Sequence, residues 1–374
     1  MSKHTLFARH ALATASLALL CGTAGAQNVQ IFGIVDTGIL YQTNNGASSS
    51  SKTSMQTSNL RQSVWGFKGS EDLGGGLKAF FNLESHIDID TGNLHGDGFL
   101  GTAPLFRRQA NVGLAGDWGS VTLGRQYGPA LLAHIGTEPR AFKENFSSLY
   151  TWAYDQLTAF NGGGAVNTNN DVGIFMTNSI QYRGTVGPVT GGILYSLGEV
   201  AGETKNNSIL ALGLTYSGPV TLSFSHEFMK DANTGEKVTE HTGVGAAYSW
   251  SDFTVKGIFH RADNSAADGT RVSKVDTWGL GFDWKWSPSN MATAAYYDAK
   301  DKEFKPNHTK NLVLGNETYL SKRTTLYATI AIVDADDGAG GNTIDGFRTT
   351  IVATPDYLPG KKTTFFNAGI NHTF

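Results

Sequence analysis

Apolar and polar residues alternate with a period near two along much of the chain. In residues 77–87 the odd positions are mostly apolar and the even ones mostly polar, and residues 220–228 show the opposite register. A period of two predicts β-strands that each present one apolar and one polar face. Soluble β-sandwiches and membrane barrels share this pattern, so the connections between strands have to discriminate between them.

Short and long connections alternate along the chain. The short ones carry turn residues such as Gly, Pro, Asn and Asp, and they fall at 71–76, 116–119, 186–188, 217–219, 249–252, 286–290 and 320–323. The long, polar ones fall at about 43–57, 89–104, 128–176, 199–206, 231–239, 264–271, 302–307 and 336–361. Bacterial barrels have an even strand number, a rim of short turns and a rim of long loops. The sequence therefore predicts an all-β fold, a 16-stranded antiparallel transmembrane β-barrel with both termini on the short-turn side.

Aromatic residues support this prediction. Residues 365–374 are predicted to form a last strand that ends on Phe374. In a closed barrel the last strand pairs with the first, and an aromatic residue belongs at the membrane interface. Five further aromatic residues near the short turns predict a girdle at that rim: Trp118, Tyr248, Trp250, Trp284 and Trp286. The alternative is a soluble β-domain in which 365–374 is a buried strand and the aromatic residues belong to the core.

The composition fits a membrane barrel and argues against two other classes of protein. Gly makes up 46 of the 374 residues and charged residues only 16 %, while the mean hydropathy is −0.21. A chain that is polar on average yet poor in charge fits strands with one face in lipid and one in water. Beyond the N-terminus no apolar stretch is long enough for a transmembrane helix. A net charge of −3 without a basic stripe argues against nucleic acid as a partner.

The N-terminus has the features of a secretory signal peptide. A basic start precedes an apolar run over 11–20 and the small residues of 24–26. The predicted organisation is therefore a signal peptide over 1–26 and an outer-membrane barrel over 27–374. Cys21, the single cysteine, offers lipid attachment as an alternative. Cleavage after residue 26 removes it and leaves a barrel without thiols or disulfides.

The strand number carries a functional expectation. Sixteen strands enclose a water-filled channel, whereas eight close on a lumen that side chains fill. The sequence therefore predicts passive diffusion of small hydrophilic solutes and ions. Residues 128–175 lack strand periodicity and are too long for an idle connection. This segment is predicted to fold into the lumen and to constrict it; the alternative is a cap on the outside of the barrel.

Five stretches in order along the chain carry a resemblance to a known family. They are 29–38, 65–79, 108–114, 123–126 and 367–374, and the most specific part is Glu71-Asp72-Leu73-Gly74-Gly75-Gly76. By these stretches the chain resembles the trimeric general diffusion porins of Gram-negative outer membranes, of the betaproteobacterial type. The resemblance implies a homotrimer in contact with outer-membrane lipid, with the third loop folded inside each barrel as the constriction.

In that family, lumenal arginines face carboxylates of the third loop. The resemblance places Arg108 among those arginines, although the parity it shares with Ala110 leaves its direction open. Two other arginines of the pattern are missing, because Val64 stands on the second strand and none lies in residues 141–182. The other predicted constriction residues are the cations Arg107, Arg125 and Lys68, which are expected to compensate, and the carboxylates Glu84, Glu138, Glu144 and Asp155. Spacing leaves open which of Glu138, Glu144 and Asp155 opposes Arg108.

A barrel hydrolase and a surface adhesin are the alternative functions. The chain has no Gly-x-Ser-x-Gly nucleophile motif, and its ten histidines are scattered, so the hydrolase has no identifiable site. Asp334, Asp336 and Asp337 lack the spacing and the distal glutamate of a calcium loop, which leaves a loop-bound cation as the weaker interpretation. The expectation is a channel without catalytic residues, cofactor or metal.

Overall fold

The computed structural model describes residues 28–45, 49–96, 103–154, 166–303, 308–336 and 360–374. The predicted signal peptide, Asp155 and most of the loop predicted at 336–361 lie outside these residues. The strands are β1 (Asn28–Asn45), β2 (Ser50–Thr57), β3 (Val64–Gly74), β4 (Leu77–His86), β5 (Gln109–Gly116), β6 (Gly119–Tyr127), β7 (Asn170–Asp171), β8 (Phe175–Val186), β9 (Val189–Ser196), β10 (Ile209–Ser217), β11 (Thr221–Lys230), β12 (Lys237–Trp250), β13 (Phe253–Ser265), β14 (Arg271–Ser287), β15 (Asn290–Asp301), β16 (His308–Tyr319), β17 (Thr324–Ala335) and β18 (Lys362–Thr373). Two short helices, α1 (Pro129–Ala133) and α2 (Leu149–Tyr154), lie between β6 and β7. Within the described ranges no helix is long and apolar enough to cross a bilayer.

The strands form one closed antiparallel barrel. Neighbours in sequence are neighbours in the wall, and β18 pairs with both β17 and β1. Two of the eighteen strands do not add a position to the wall. β2 and β3 pair with different halves of β1 and share one position, and the two-residue β7 pairs with β8 alone. The wall therefore has sixteen positions, and the predicted 16-stranded barrel is confirmed.

The two faces of the wall have opposite character. On β14 the side chains of Trp278, Leu280 and Phe282 are exposed, whereas Thr277 and Asp283 between and beside them are buried. A soluble protein would bury the apolar set. An apolar exterior around a polar interior is the arrangement of a barrel that stands in lipid and encloses water.

The rim of short turns is as predicted. All seven predicted short turns join consecutive strands of the wall. Aromatic side chains there are 41 to 51 % exposed: Trp118, Tyr248, Trp250, Trp284, Trp286 and Phe374. Phe374 also completes the closure of the barrel, since its N–H donates to the carbonyl of Gly33 at 3.0 Å and its carbonyl accepts from the N–H of Gly33 at 3.2 Å.

The prediction of a loop at 43–57 is wrong. β1 continues to Asn45, and β2 returns over Ser50–Thr57 in register with it. These residues are polar on both faces of the hairpin, so the alternation that marks a strand in the membrane is absent. The predicted loop at 231–239 is shortened for the same reason, because the polar start of β12 at Lys237 is a strand.

Candidate functional site

The chain between β6 and β8 packs against the buried face of the wall. Its described parts, residues 128–154 and 166–174, form what we call the β6–β8 segment. Its first helix, α1, lies against β9, β10 and β11. The buried side chains of Ala130 and Leu131 share one apolar cluster with Leu194, Ile209 and Met229 of those strands. Burial of this apolar surface fixes the start of the segment on the wall.

Glycines in the wall make room for this contact. A Cβ atom on any of four wall glycines would lie only 1.9 to 2.6 Å from an atom of the β6–β8 segment, closer than side chains pack. The four are Gly213, Gly243, Gly245 and Gly281, and the atoms they would meet belong to Pro129, His134, Thr137 and Pro139 in that order. The glycines thus form a flat track on three strands along which residues 129–139 lie.

Hydrogen bonds reinforce the track. The Nδ1 atom of His134 is 2.6 Å from the Ser223 hydroxyl, and its Nε2 atom is 2.8 Å from the Ser225 hydroxyl. The hydroxyls of Thr137 and Ser223 are 2.6 Å apart. The His134 ring and the three hydroxyls are buried, so these bonds form without competition from water.

Glu138 shapes the turn that follows. Its carboxylate accepts the backbone N–H groups of Arg140, Phe142 and Ser148 at 2.7 to 3.0 Å, and the hydroxyl of Tyr297 from β15 at 2.8 Å. It is fully buried. The structure therefore places this predicted constriction residue inside the turn, where it satisfies backbone donors rather than facing an opening.

The segment reaches the seam where the barrel closes. Lys143 forms an ion pair with Glu317 on β16. The rings of Phe146 and Phe365 on β18 have centroids 5.4 Å apart. Asn145 donates to the side chain of Asn59 at 2.8 Å. The segment is thus attached to the wall along residues 129–139 and again at residues 143–146.

A buried histidine cluster lies where α2 meets the wall. The ring of Trp152 is 4.0 Å from that of His241 and 5.5 Å from those of His134 and His260, measured between centroids. His241 and His260 approach each other to 3.3 Å, and Glu227 lies 3.9 Å from His241. Burial lowers the pKa of His134 to about 4. At neutral pH the imidazole of His134 is therefore uncharged, as its packing requires.

Acidification is expected to weaken the attachment of the β6–β8 segment. A solvated histidine has a pKa of about 6.5. Between pH 6.5 and pH 4, His134 is therefore protonated when the segment is detached and neutral when the segment is attached. Attachment then loses about 1.4 kcal/mol per pH unit down to the pKa of about 4, roughly 3 kcal/mol in all. Bilayer recordings should show larger, noisier unit currents between pH 6.5 and 4. His134→Gln keeps a donor and an acceptor but cannot titrate, so its currents should change less; identical pH profiles would contradict the prediction.

Arg107 and Arg125 share one carboxylate. Arg107 binds Asp171 with two parallel hydrogen bonds of 3.0 Å, and Arg125 forms an ion pair with the same side chain. Asp171 lies in β7, at the end of the β6–β8 segment, and was not among the residues predicted from sequence. The pairing of β6 with β8 shifts register between Gly124 and Gln126. Such an irregularity redirects side chains, so strict alternation did not assign the side of Arg125.

Arg108 is paired within the wall. It lies in the bend before β5, and its guanidinium binds the carboxylate of Glu84 on β4 and the hydroxyl of Tyr127 on β6. Glu144 of the β6–β8 segment is near enough to act on its charge. Of the carboxylates left open by spacing, Glu144 is thus the one that the described structure brings to Arg108. Tyr127 was not foreseen.

A cavity of about 470 Å³ separates the β6–β8 segment from β1 and from Arg108. The segment contributes Lys143 and Glu144 to its lining, and the wall contributes Arg61, Arg108 and Tyr127. Apolar side chains supply most of the remainder. The predicted constriction residues Arg108 and Glu144 therefore face one opening.

Arg61 reaches this cavity through a break in the wall. Between β2 and β3 the chain leaves the sheet and wraps around Asp36 of β1, whose carboxylate accepts the N–H groups of Asn59, Leu60 and Arg61 at 2.9 to 3.3 Å. Tyr327 and Asn371 also donate to it, at 2.9 and 3.0 Å. The Arg61 side chain is exposed and forms no ion pair with any described residue. Neither Asp36 nor Arg61 was foreseen.

Lys68 lies apart from this group. Its ammonium stands 5.1 Å from the ring centroid of Phe32 and lines a separate cavity nearer the short turns, with Gln30 and Asn82. Asp155 lies outside the described residues.

The described residues contain no metal-binding cluster. Among them, no group of three or more His, Cys, Asp or Glu side chains is arranged to hold a metal ion. Asp334 is 3.4 Å from Lys362, and Asp336 is 3.7 Å from His308.

Comparisons with known proteins agree with this architecture. The model of a family described as Gram-negative porin matches residues 13–338. Outer membrane porin protein 32 of Delftia acidovorans is 29 % identical over 370 residues, which cover 94 % of this chain and 96 % of that protein. An outer membrane porin protein of Bordetella pertussis is 29 % identical over 277 residues, 64 % of this chain and 65 % of its own.

A solved structure has the same fold. The anion-selective porin from Comamonas acidovorans superimposes with a TM-score of 0.76 at 26 % identity, over 93 % of this chain and all of that one.

Proposed function

This chain belongs to the Gram-negative porin family, and from that premise we propose that its β6–β8 segment lies inside the channel as the constriction and that the channel prefers anions. As an outer-membrane porin it lets small hydrophilic solutes and ions diffuse passively. The carrying observation is the attachment of the segment to the buried, polar face of the wall, from β9 to β18. Among the described residues, a segment bound there leaves the space toward β1 and Arg108 open to solutes.

The anion preference follows from the charges at this opening. Three cations, Arg61, Arg108 and Lys143, line it together with one carboxylate, Glu144. Beside them Glu84 pairs with Arg108 and Glu317 with Lys143, while Arg107 and Arg125 share Asp171. In a narrow passage with low-dielectric walls a small excess of one sign concentrates counter-ions. The anion-selective Comamonas relative supports the same sign.

We further propose that the chain assembles as a homotrimer and that it has no catalytic role. The trimer rests on the resemblance to trimeric porins. The absence of catalysis is supported by the environment of the histidine–serine pairs of His134, which are buried between the segment and the wall and so closed to solutes.

Arg108→Gln is expected to shift the selectivity toward cations. The substitution removes one of the cations that line the opening and leaves Glu84 and Glu144 in place. The measurement is the reversal potential of single channels in a planar bilayer across a KCl gradient. Lys322→Gln removes the same charge from an exposed short turn and should leave the potential unchanged. A cation-selective wild type, or equal potentials in the two variants, would refute the proposal.

A further inference from the structure

The opening beside the β6–β8 segment is unusually apolar for a passage filled with water. Nine of its fifteen lining residues are Leu, Ile, Phe or Ala. A volume of about 470 Å³ with a mostly apolar lining and a few charged groups has the size and character of a small-molecule site. An apolar lining offers water no hydrogen bonds, whereas a solute with an apolar body binds there favourably because both apolar surfaces are removed from water.

Ile135 shows that this apolar surface faces the opening. Its neighbours His134 and Thr137 are bound to serine hydroxyls of the wall. Ile135 points the other way, is 44 % exposed and lines the cavity together with Leu132 and Phe142. The anchors on the track thus hold an apolar patch toward passing solutes.

One cation at the edge of the patch, Arg61, forms no ion pair with a described carboxylate. Arg108 is bound to Glu84 and Tyr127, and Lys143 is bound to Glu317. Arg61 forms no ion pair within the described ranges, and its backbone is held by Asp36. Its guanidinium is therefore available to a ligand, and a carboxylate is the anion that fits its planar fork.

We propose that this opening is a binding subsite for small monocarboxylates with an apolar body, such as aromatic carboxylates. The carboxylate pairs with Arg61 and the body covers Ile135, Leu132 and Phe142. A single charge fits better than two, because Glu144 lines the same cavity and repels a second carboxylate. The inference rests on the proposed place of the β6–β8 segment inside the channel.

The test uses three probes on the reconstituted full-length channel. Benzoate carries both the charge and the apolar body, acetate carries only the charge, and benzyl alcohol only the body. In planar bilayers bathed in KCl, millimolar benzoate is expected to interrupt the unit current, and the other two probes at the same concentration are not. Equal effects of benzoate and acetate would overturn the inference.

Two variants assign the effect to the subsite. Arg61→Gln and Ile135→Ser each alter a side chain that is exposed, so the barrel should still fold. Each is expected to raise the benzoate concentration for half-block about tenfold, as loss of one charge-assisted hydrogen bond or one buried apolar contact implies. The matched controls are Lys322→Gln and Leu320→Ser at an exposed short turn, which should block as the wild type does. A block that survives either Arg61→Gln or Ile135→Ser would overturn the inference.

The KCl recordings distinguish a failure of the proposed constriction from a failure of the proposed carboxylate subsite. If the constriction were elsewhere, Arg108→Gln would leave the KCl reversal potential unchanged. If only the subsite were wrong, Arg108→Gln would shift that potential while benzoate behaved like acetate.

Discussion

Asp36→Ala is expected to lower the free energy of unfolding of the barrel by about 3–5 kcal/mol. The Asp36 carboxylate is fully buried and accepts five donors: three backbone N–H groups of the break between β2 and β3, the Tyr327 hydroxyl and the Asn371 amide. Its removal leaves these donors without an acceptor in a region closed to water. The loss falls on the seam at which β1 meets β18, where an open edge would be exposed.

Urea unfolding in detergent, followed by circular dichroism and by the heat-dependent mobility of the barrel on gels, measures this loss. Asp334→Ala is the matched control. Its carboxylate is 44 % exposed and forms a 3.4 Å ion pair with Lys362, which should contribute less than about 1 kcal/mol. An unfolding midpoint for Asp36→Ala that equals that of Asp334→Ala would show that Asp36 does not hold the seam.

The strands and turns of the barrel wall were predictable because each depends on residues that are close together in the sequence. A strand in lipid must alternate, and a two- to six-residue connection needs turn residues, so Gly187, Gly218 and Asp252 located their hairpins from sequence. The outer part of the β1–β2 hairpin obeys neither rule. Its described residues within 42–57 are, apart from Met55, polar on both faces, and only the pairing of β2 with β1 reveals β2 as a strand.

The site was predictable only in part, because several of its residues lie where the wall is irregular. Glu84 and Glu144 were expected at the constriction, and the structure brings both to Arg108. Arg61 and Asp171 were missed. Arg61 lies in a break that leaves the sheet, and Asp171 acts on Arg107 and Arg125 from the far end of a long segment. Alternation carries no information at a break, and spacing carries none across 46 or 64 residues.

The break itself had a signal in the sequence. Ser58-Asn59-Leu60-Arg61-Gln62-Ser63 is a mostly polar run between two strand-like stretches, and Asp36 is the one charged residue of the first strand. A buried carboxylate needs several donors, and three successive N–H groups of a chain that turns away from a sheet supply them. Combining the two observations would have predicted the break that brings Arg61 to the cavity.

The glycine track shows how the wall fixes the β6–β8 segment without a strong bond. Gly213 is paired on both sides, with Gly192 on β9 and Ser225 on β11, so it lies within a regular strand and not in a turn. Because Gly213 has no side chain, the backbone of α1 can approach the wall closely at this position. The carbonyl oxygen of Pro129 lies 1.9 Å from the place where a Cβ would be, and the Cβ of Ala133 lies 3.1 Å from it.

Gly213→Val should therefore detach α1 from the wall. The Pro129 carbonyl would have to retreat by about 1.5 Å to reach ordinary contact at 3.4 Å, and overpacking of this kind costs about 1–3 kcal/mol. The ratio of attached to detached segment should fall roughly ten- to hundredfold. Valine itself suits a strand, so the barrel should still form.

Single-channel recordings and swelling of liposomes in sugars of increasing size measure the result. Gly213→Val is expected to conduct more, to admit larger sugars and to lose part of its anion preference, because the segment no longer holds its charges opposite Arg108. Gly257→Val is the matched control, since a Cβ there meets only the Gly279 carbonyl oxygen, at an ordinary 3.7 Å. It adds the same side chain to the outward face of β13, away from the β6–β8 segment, and should leave all three properties unchanged. If Gly213→Val kept the conductance and size limit of Gly257→Val, the segment would not be what narrows this channel.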